Sequence, residues 1–335
     1  MSKTWFVPLA LRWMWCALLA CGSAYAEPAG GDLALALVEH VAALGAADAV
    51  PARRQGVLFK ITGDGRASYL FGTIHVGERA FYPLAPEVSQ ALAGASQLVL
   101  ELDTRADGAY QRAVAAHGSY GRGGQIREHI SADTLARLTR ALHAVGITVS
   151  SVEHLKPWLL ANILMGLELE RSGFERSNGN EVFLLAQAQA RGTTVTELES
   201  ADYQLALFDT LSDADADSYL REGLAALSDG SSLRKARATI DAWASGNSAA
   251  LEALVPEAID GRTVMAEFTR RMLLGKRNPE MASRIESIMQ DGQTSFVGGG
   301  LLHLLGPDGL PRLLARRGYQ VVRVYQHFSA NVGTI

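Results

Sequence analysis

Short runs of apolar and β-branched residues indicate strands in the first part of the chain. Two such runs, 57–62 and 67–75, flank the turn-forming sequence 63–66 (GDGR), and this pattern predicts an antiparallel hairpin. Apolar residues at helical spacing predict a helix over 86–95, and a strand is predicted over 97–103. A strand, a helix and a strand in this order indicate parallel strands joined by a right-handed crossover.

The C-terminal end repeats this order of elements, with a strand predicted over 295–298, a helix over 310–317 and a strand over 320–325. At each end a glycine-bearing strand end is followed by a histidine, as Gly72-Thr-Ile-His75 and as Gly300-Leu-Leu-His303. The short match hints at an internal duplication. We therefore expect the two ends of the chain to contribute to one sheet.

Between the two ends, strand signals are sparse and helix signals are dense. Capping residues, prolines and terminal glycines predict helices over 131–146, 157–169, 181–191, 201–210, 213–227, 232–245 and 279–290, and one strand is predicted over 193–198. Another short helix is predicted over 33–45. The sequence thus predicts an α/β fold with a mixed central sheet flanked by helices. The sheet is built from the N- and C-terminal parts, 27–108 and 291–335, around a largely helical insertion, 109–290.

The segment 1–26 has the pattern of a secretory signal peptide. A positively charged start precedes an apolar stretch, 13–20, and the small residues of Ala24-Tyr25-Ala26 form a cleavage site. The stretch is shorter than the roughly 20 residues of a membrane span. We expect an exported protein, periplasmic or extracellular. The alternative is a lipobox that ends at Cys21, in which case lipidation of Cys21 attaches the protein to a membrane.

Composition narrows the chemistry of the predicted mature chain. Both cysteines of the sequence, Cys16 and Cys21, lie in the export segment, so a metal site beyond it needs histidine and carboxylate ligands, and a cysteine nucleophile is excluded. The formal net charge is −4, with 31 Lys and Arg against 35 Asp and Glu. Nucleic-acid binding is not expected, because phosphate contacts need clustered positive charge.

Candidate ligands stand where the predicted strands end. His75 and His303 follow glycines at two strand ends, and strand alternation over 97–103 places Glu101 and Asp103 on one face. Two histidines and a carboxylate at neighbouring strand ends are ligand types that Zn, Mn, Co or Fe(II) accept. The convergence depends on the two ends of the chain lying side by side, which spacing alone does not establish.

An ordered set of motifs resembles the TraB/GumN family and covers roughly residues 57–324. The motifs are YLFGTIHVG (69–77), FYP (81–83), LVLEL (98–102), LKPW (155–158), VTELE (195–199), KRN (276–278) and GGGLLHLLG (298–306). The family is related to the Tiki metalloproteases, so the resemblance implies a divalent-metal hydrolase site at His75, Glu101 and His303. It also belongs to a wider group with erythromycin esterase and a haem-binding lipoprotein, so the scaffold serves other uses as well.

Other positions that match the family pattern are Glu181, Glu199, Gln204, Arg277 and Asn278. Glu199 is a candidate general base or a carboxylate that orients a ligand, and Asp103 is a second candidate base. Arg277 is expected to hold a substrate carboxylate or a strand-end glutamate through two hydrogen bonds, unless Arg277 and Asn278 only begin the next helix. The sequence does not decide which carboxylate is a metal ligand and which is the base among Glu101, Asp103, Glu181 and Glu199.

Two functions follow as alternatives. The first is an exported, metal-dependent hydrolase of a peptide or amide bond in a peptide or small-molecule substrate, with the helical insertion shaping the substrate groove. The second is a ligand-binding protein without hydrolytic activity, in which the two histidines contact haem or a polysaccharide fragment.

Overall fold

A computed structural model describes residues 56–63, 66–105 and 108–324 of the chain. The predicted signal peptide, the predicted helix over 33–45 and Cys21 lie outside the described residues. Within them the predicted α/β fold is confirmed.

Six strands form one mixed sheet: β1 (Val57–Gly63), β2 (Arg66–Thr73), β3 (Gln97–Leu100), β4 (Thr194–Glu197), β5 (Ser295–Gly300) and β6 (Gln320–Arg323). Their order across the sheet is β4-β3-β5-β2-β1-β6. β1 pairs antiparallel with β2, as the hairpin pattern predicts, and antiparallel with β6. The pairs β2–β5, β3–β5 and β3–β4 are parallel. The insertion therefore contributes one edge strand, β4, to a sheet otherwise built from the two ends.

The α-helices of the described residues surround and extend this sheet. They are α1 (Pro86–Gly94), α2 (Ala109–His117), α3 (Ala132–Ala144), α4 (Val149–Val152), α5 (Pro157–Arg171), α6 (Asn180–Arg191), α7 (Ala201–Ala206), α8 (Asp213–Ser228), α9 (Ser231–Ser245), α10 (Ser248–Ile259), α11 (Val264–Phe268), α12 (Arg277–Gln290) and α13 (Leu310–Arg316). None of the helices in the described ranges has the length and apolar character that would let it cross a membrane.

Alternating side chains of the strands feed two apolar layers, one on each face of the sheet. On one face, Phe71 and Leu98 pack with residues of α1, α6 and α9. On the other face, Leu70 and Val99 pack against α12 and α13. A third apolar cluster lies inside the insertion, among α2, α3, α5, α7 and α8. Trp243, fully buried in α9, donates from Nε1 to the Gly72 carbonyl at 2.8 Å and so fixes the insertion to β2.

The register of the sheet brings the two ends of the chain together. Gly72 pairs with Gly299, and Thr73 with Gly300, so β2 and β5 end side by side. Leu100 pairs with Gly298, which places the end of β3 on the other side of β5. A Cβ on Gly298 would lie only 2.7 Å from the Leu100 side chain, so a larger residue there would force this buried leucine to shift. The carboxyl ends of β2, β3, β4 and β5 thus share one edge.

Several helix boundaries differ from the sequence prediction. The predicted helix over 201–210 divides into α7 and a 3₁₀ turn, Leu207–Thr210. A π-helix, Thr269–Lys276, precedes α12, so α12 begins two residues before the predicted 279. A Cβ on Gly275 would approach the Arg270 carbonyl to 2.8 Å, and glycine therefore suits this wider turn. The sequence reasoning did not find α10, whose internal Pro256 normally signals a helix end.

A histidine bridge fixes α7 to α2. His117 contacts Asp209 through Nδ1 at 2.5 Å and Asp202 through Nε2 at 3.0 Å, and Lys156 also binds Asp209 at 2.6 Å. Partial burial alone lowers the pKa of His117, but hydrogen bonds to the two aspartates raise the pKa overall. Only the protonated imidazole donates to both carboxylates at once.

The pKa of His117 is higher in the folded state than in the unfolded state. The protonated His117 therefore stabilises the fold fully at pH values below its unfolded-state pKa of about 6.5, and this stabilisation is lost as pH rises through its folded-state pKa. We expect His117→Gln to lower the free energy of unfolding by about 1 kcal/mol at pH 6 and by less at pH 9. Urea unfolding at both pH values measures this difference. Exposed His143, replaced by Gln, is the matched control, and an equal loss at both pH values would contradict the bridge.

Candidate functional site

Six ionisable side chains meet at the shared strand edge, and we call them the site cluster. His75 follows β2, Glu101 follows β3, Glu199 follows β4, and His303 lies in the 3₁₀ turn after β5, Leu301–Leu304. The other two members begin helices: Glu181 is in the first turn of α6, and Arg277 is the first residue of α12. Parallel strands made this convergence possible, since their ends lie together.

Arg277 joins two carboxylates at the base of the cluster. Its Nη2 lies 2.7 Å from Glu101 Oε2 and 2.6 Å from Glu199 Oε2, and its Nε donates to both Glu199 oxygens at 3.0 and 3.1 Å. Gln204 adds a donor to Glu199 at 2.8 Å. The other Glu101 oxygen, Oε1, accepts from the Gly300 amide at 2.5 Å. The carboxylate of Glu101 is therefore fixed from both sides.

His303 is buried and held in one tautomer. Asn278 donates from Nδ2 to the Asp308 carbonyl at 2.8 Å, which orients its amide so that Oδ1 faces His303 Nδ1 at 2.6 Å. Because Oδ1 only accepts, Nδ1 carries the proton and Nε2 keeps a free lone pair. Nε2 lies 3.7 Å from Glu101 Oε1.

His75 has a matching arrangement at the mouth of the site. Its Nδ1 lies 2.9 Å from Glu181 Oε1, and its side chain is 48% exposed, against 8% for His303. The carboxylate accepts the Nδ1 proton, which leaves Nε2 directed at the centre of the cluster.

Gly300 marks that centre. A Cβ on Gly300 would lie 3.1 Å from Glu101 Oε1, 3.5 Å from His303 Cδ2 and 3.9 Å from His75 Nε2. Any larger residue would occupy the space that the two imidazoles and the carboxylate share. The glycine run 298–300 thus serves both strand packing and an open site.

The charges inside the cluster shift its pKa values in opposite directions. For Glu101, burial opposes ionisation, but positive charge on His303 and Arg277 and the Gly300 amide lower the pKa to about 2. Burial lowers the pKa of His303 to about 4. For His75, burial is outweighed by the charge and hydrogen bond of Glu181, which raise the pKa to about 9. At neutral pH, Glu101 is therefore ionised and His303 is neutral.

A short segment of the insertion holds the loop that carries His75. Asn180 Oδ1 accepts a hydrogen bond from the Ile74 backbone amide at 2.9 Å. The backbone amide of Asn180 in turn donates to the Ile74 carbonyl at 3.0 Å. A Cβ on Gly179 would lie 2.6 Å from the His75 carbonyl, so the two backbones touch. The sequence reasoning noted Glu181 but missed Asn180. The signal was the pair Gly179-Asn180 directly before Glu181, at a helix start.

Asn180→Ala is expected to lower the free energy of unfolding by about 1–3 kcal/mol, because the buried Ile74 amide loses its acceptor. Hydrogen exchange of the Ile74 amide should accelerate in parallel. Gln189→Ala, on the exposed side of α6, is the matched control and should leave both measurements unchanged. Unchanged exchange at Ile74 would show that Asn180 does not hold the loop.

The structure separates the carboxylates that the sequence left as alternatives. Asp103 does not join the cluster: its carboxylate pairs with Arg105 at 2.7 Å. The expected shared face of Glu101 and Asp103 is wrong because β3 ends at Leu100, before strand alternation could apply. Glu199 forms an ion pair with Arg277. Arg277 also binds Glu101, a glutamate at a strand end, which is one of the two roles predicted for it.

Four members of the cluster, His75, Glu101, Arg277 and His303, line a cleft of about 460 Å³. The insertion supplies much of its wall, including Leu205, Phe208, Tyr219 and Ile240, so the helical layer does shape a groove over the site. Phe208 is stacked between Trp158 and Phe268, with ring centroids 4.1 and 4.5 Å away, so aromatic packing holds it in this wall.

Comparison with known proteins identifies the family of the chain. The model of the TraB/PrgY/gumN family matches residues 57–323, and the chain belongs to this family. Two relatives are each described as "Uncharacterized protein YbaP", one from Shigella flexneri and one from Escherichia coli (strain K12). Each is 26% identical over 259 residues, which cover 74% of this chain and 88% of the relative. No solved structure matches the chain significantly.

Proposed function

We propose that the protein is an exported hydrolase of peptide or amide bonds that depends on a divalent metal ion, Zn, Mn or Co. One observation carries the proposal. His75 Nε2, Glu101 Oε1 and the His303 ring surround the space that a side chain on Gly300 would occupy. His75, Glu101 and His303 would hold the ion, as their family resemblance implies. When bound, such an ion polarises a carbonyl group and lowers the pKa of a water molecule.

The fit of these residues to a metal ion rests on their chemistry. Across the described ranges, no three His, Cys, Asp or Glu side chains form a ready-made metal-binding group. The ligand atoms instead surround a common space, with His303 Nε2 and Glu101 Oε1 3.7 Å apart. Both imidazoles have their Nδ1 atoms engaged, by Glu181 and Asn278, and this is how metal-binding histidines are oriented.

The charge balance of the cluster also favours a cation. Glu101, Glu181 and Glu199 bring three carboxylates against the single guanidinium of Arg277, and their side chains are at most 17% exposed. With His303 neutral and His75 protonated, the cluster carries one net negative charge at neutral pH. An ion bound at His75 Nε2 would displace that proton, and the two negative charges that then remain would balance one divalent ion. Buried charge without a partner is costly, so this surplus supports the proposal.

The remaining residues of the cluster act on the ligands. Glu181 and Asn278 orient the imidazoles, while Arg277 and Glu199 hold Glu101 in place. Because Glu199 is bound to Arg277 through three contacts, we assign it to positioning rather than to proton transfer. Export rests on the sequence pattern of residues 1–26, with lipidation at Cys21 as the alternative route to a membrane surface.

The test uses the exported protein, purified without nickel, and a mixture of synthetic peptides analysed by mass spectrometry. Cleavage should require added Zn²⁺, Mn²⁺ or Co²⁺, should stop with chelator, and should be absent in His303→Ala but normal in His129→Ala. Cleavage that survives in His303→Ala would contradict the proposal. A change in the haemin absorbance spectrum that requires His303, without hydrolysis, would favour the ligand-binding alternative.

A further inference from the structure

The cleft over the site cluster is charged at one end and apolar along the rest. Among the described residues that line it, every charged side chain belongs to the cluster. The lining beyond the cluster is mostly apolar and includes Leu169, Leu205, Phe208, Ile240, Leu273 and Leu274. A substrate whose reactive bond lies at the cluster therefore directs an uncharged, apolar group into the remainder of the cleft.

Two helical walls extend the apolar part of the cleft over several residues. In α9, Trp243 is bonded to the Gly72 carbonyl beside the cluster, and Ala236, two helical turns earlier, also lines the cleft. Ala236 therefore lies about 10 Å along the helix axis from Trp243. The π-helix that ends directly before Arg277 supplies lining residues from its first position, Thr269, onward. This length suits an extended chain better than a single apolar side chain.

These walls offer few hydrogen-bond partners to a peptide backbone. They are formed by α5, α8, α9 and the π-helix, whose backbone groups bond within their own helices. The hydroxyls of Thr239 and Thr269 donate to carbonyls of their own helices at 3.0 and 2.8 Å, and the Tyr219 hydroxyl donates to Asn162 at 3.4 Å. Among the described side chains of these walls, only the Asn162 amide keeps hydrogens for a ligand. Peptide groups without partners are costly to bury, whereas an alkyl chain has no polar groups.

The geometry points to the cleft as the binding site of a long aliphatic acyl chain, and so to an N-acyl amide as the substrate. This inference rests on the proposed hydrolase activity and names its substrate class. The acyl carbonyl lies at the cluster, and the alkyl chain lies along the helical walls. Hydrolysis adds one water molecule across the C–N bond, with the hydroxyl on the acyl carbon and the hydrogen on the nitrogen, which gives a fatty acid and an amine. Unmodified peptides place only shorter apolar side chains in the cleft, so they are poorer substrates of the same site.

Isothermal titration with N-acylglycinamides tests the chain site on the full exported protein, with chelator present to prevent hydrolysis. These probes are uncharged and differ only in chain length. Each methylene added between the hexanoyl and decanoyl probes should lower the dissociation constant about threefold to fourfold. N-acetylglycinamide should bind at least about 100-fold more weakly than N-decanoylglycinamide. Equal affinity for the acetyl and decanoyl probes would overturn the inference.

Two substitutions on α9 locate the chain. Ala236 is partly exposed and lines the cleft, whereas Ala238 is exposed and is not part of the lining. Ala236→Trp should raise the dissociation constant of N-decanoylglycinamide at least about tenfold by filling the cleft, and Ala238→Trp, the matched control, should leave it unchanged. If Ala236→Trp does not fold, Thr239→Lys, which places a charge in the apolar part, replaces it. A cleft variant that folds and binds the decanoyl probe like the unmodified protein would show that the chain lies elsewhere and that the inference is wrong.

Hydrolysis of the same probes separates this inference from the proposed function. With the Zn²⁺-loaded protein, kcat/KM for N-decanoylglycinamide should exceed that for N-acetylglycinamide at least about 100-fold, with decanoate and glycinamide released in equal amounts. Hydrolysis of both probes with the same kcat/KM would overturn the acyl-chain inference and leave the proposed function standing. Binding that depends on chain length and is blocked by Ala236→Trp, but without hydrolysis, would support the chain site and contradict the proposed function.

Discussion

For the proposed metal site, replacing His303 with alanine is expected to lower the affinity for Zn²⁺ at least about 100-fold, because a proposed ligand is removed rather than reoriented. His75→Ala should have an effect of the same order. Asn278→Ala keeps the imidazole but frees its Nδ1, so a smaller loss, about 10- to 100-fold, is expected. Competition titration against a chromophoric chelator measures all three affinities.

The controls for this series are histidines outside the cluster. His129 pairs with Asp213, and His143 is exposed near the end of α3, so alanine at either position should leave Zn²⁺ affinity unchanged. We expect Zn²⁺ affinity to be lowest in the His75 and His303 variants, intermediate in Asn278→Ala and normal in the controls. Equal affinity in all variants would place the ion elsewhere.

Arg277→Met should cause the largest loss of stability, about 3–5 kcal/mol in the free energy of unfolding. The guanidinium is 8% exposed and contacts both Glu101 and Glu199, so its removal leaves two carboxylates facing each other without a cation. Burial alone would lower the pKa of Arg277, but Glu101 and Glu199 raise it above its ordinary value, so the guanidinium is charged at every pH of interest. Urea unfolding at pH 7 gives the difference.

A double variant separates charge from packing in this prediction. Arg277→Met combined with Glu199→Gln removes one of the stranded charges and should recover part of the lost stability. Arg284→Met on the same helix should change the free energy of unfolding by no more than about 0.5 kcal/mol. If Arg277→Met costs less than about 1 kcal/mol, the two carboxylates do not depend on this arginine.

The strands at the two ends of the chain and the β1–β2 hairpin were predictable from the sequence because each signal was local. Alternation in β2 and β3 and the turn sequence 63–66 required only neighbouring residues, and the structure has the antiparallel β1–β2 pair that they predict. The position of β5 between β2 and β3 was not predictable in detail, since it depends on contacts between segments about 200 residues apart. Only the repeated glycine and histidine pattern pointed to it.

For the site, the sequence predicted which residues lie together more successfully than it predicted what each residue does. His75, Glu101, Glu199, Arg277 and His303 do converge. The exclusion of Asp103 followed from where β3 ends, and strand boundaries are set by pairing partners that the sequence does not display. Asn180 was missed because its function, two hydrogen bonds with Ile74, joins residues 106 positions apart.

Anomalous diffraction from crystals equilibrated with Zn²⁺ tests the central claim most directly, because it locates the ion without any assumption about substrate. We expect one strong peak beside Gly300, about 2.0–2.2 Å from His75 Nε2, His303 Nε2 and a Glu101 oxygen. A saturated crystal with no peak in the cleft, or with a peak that neither imidazole touches, would contradict it.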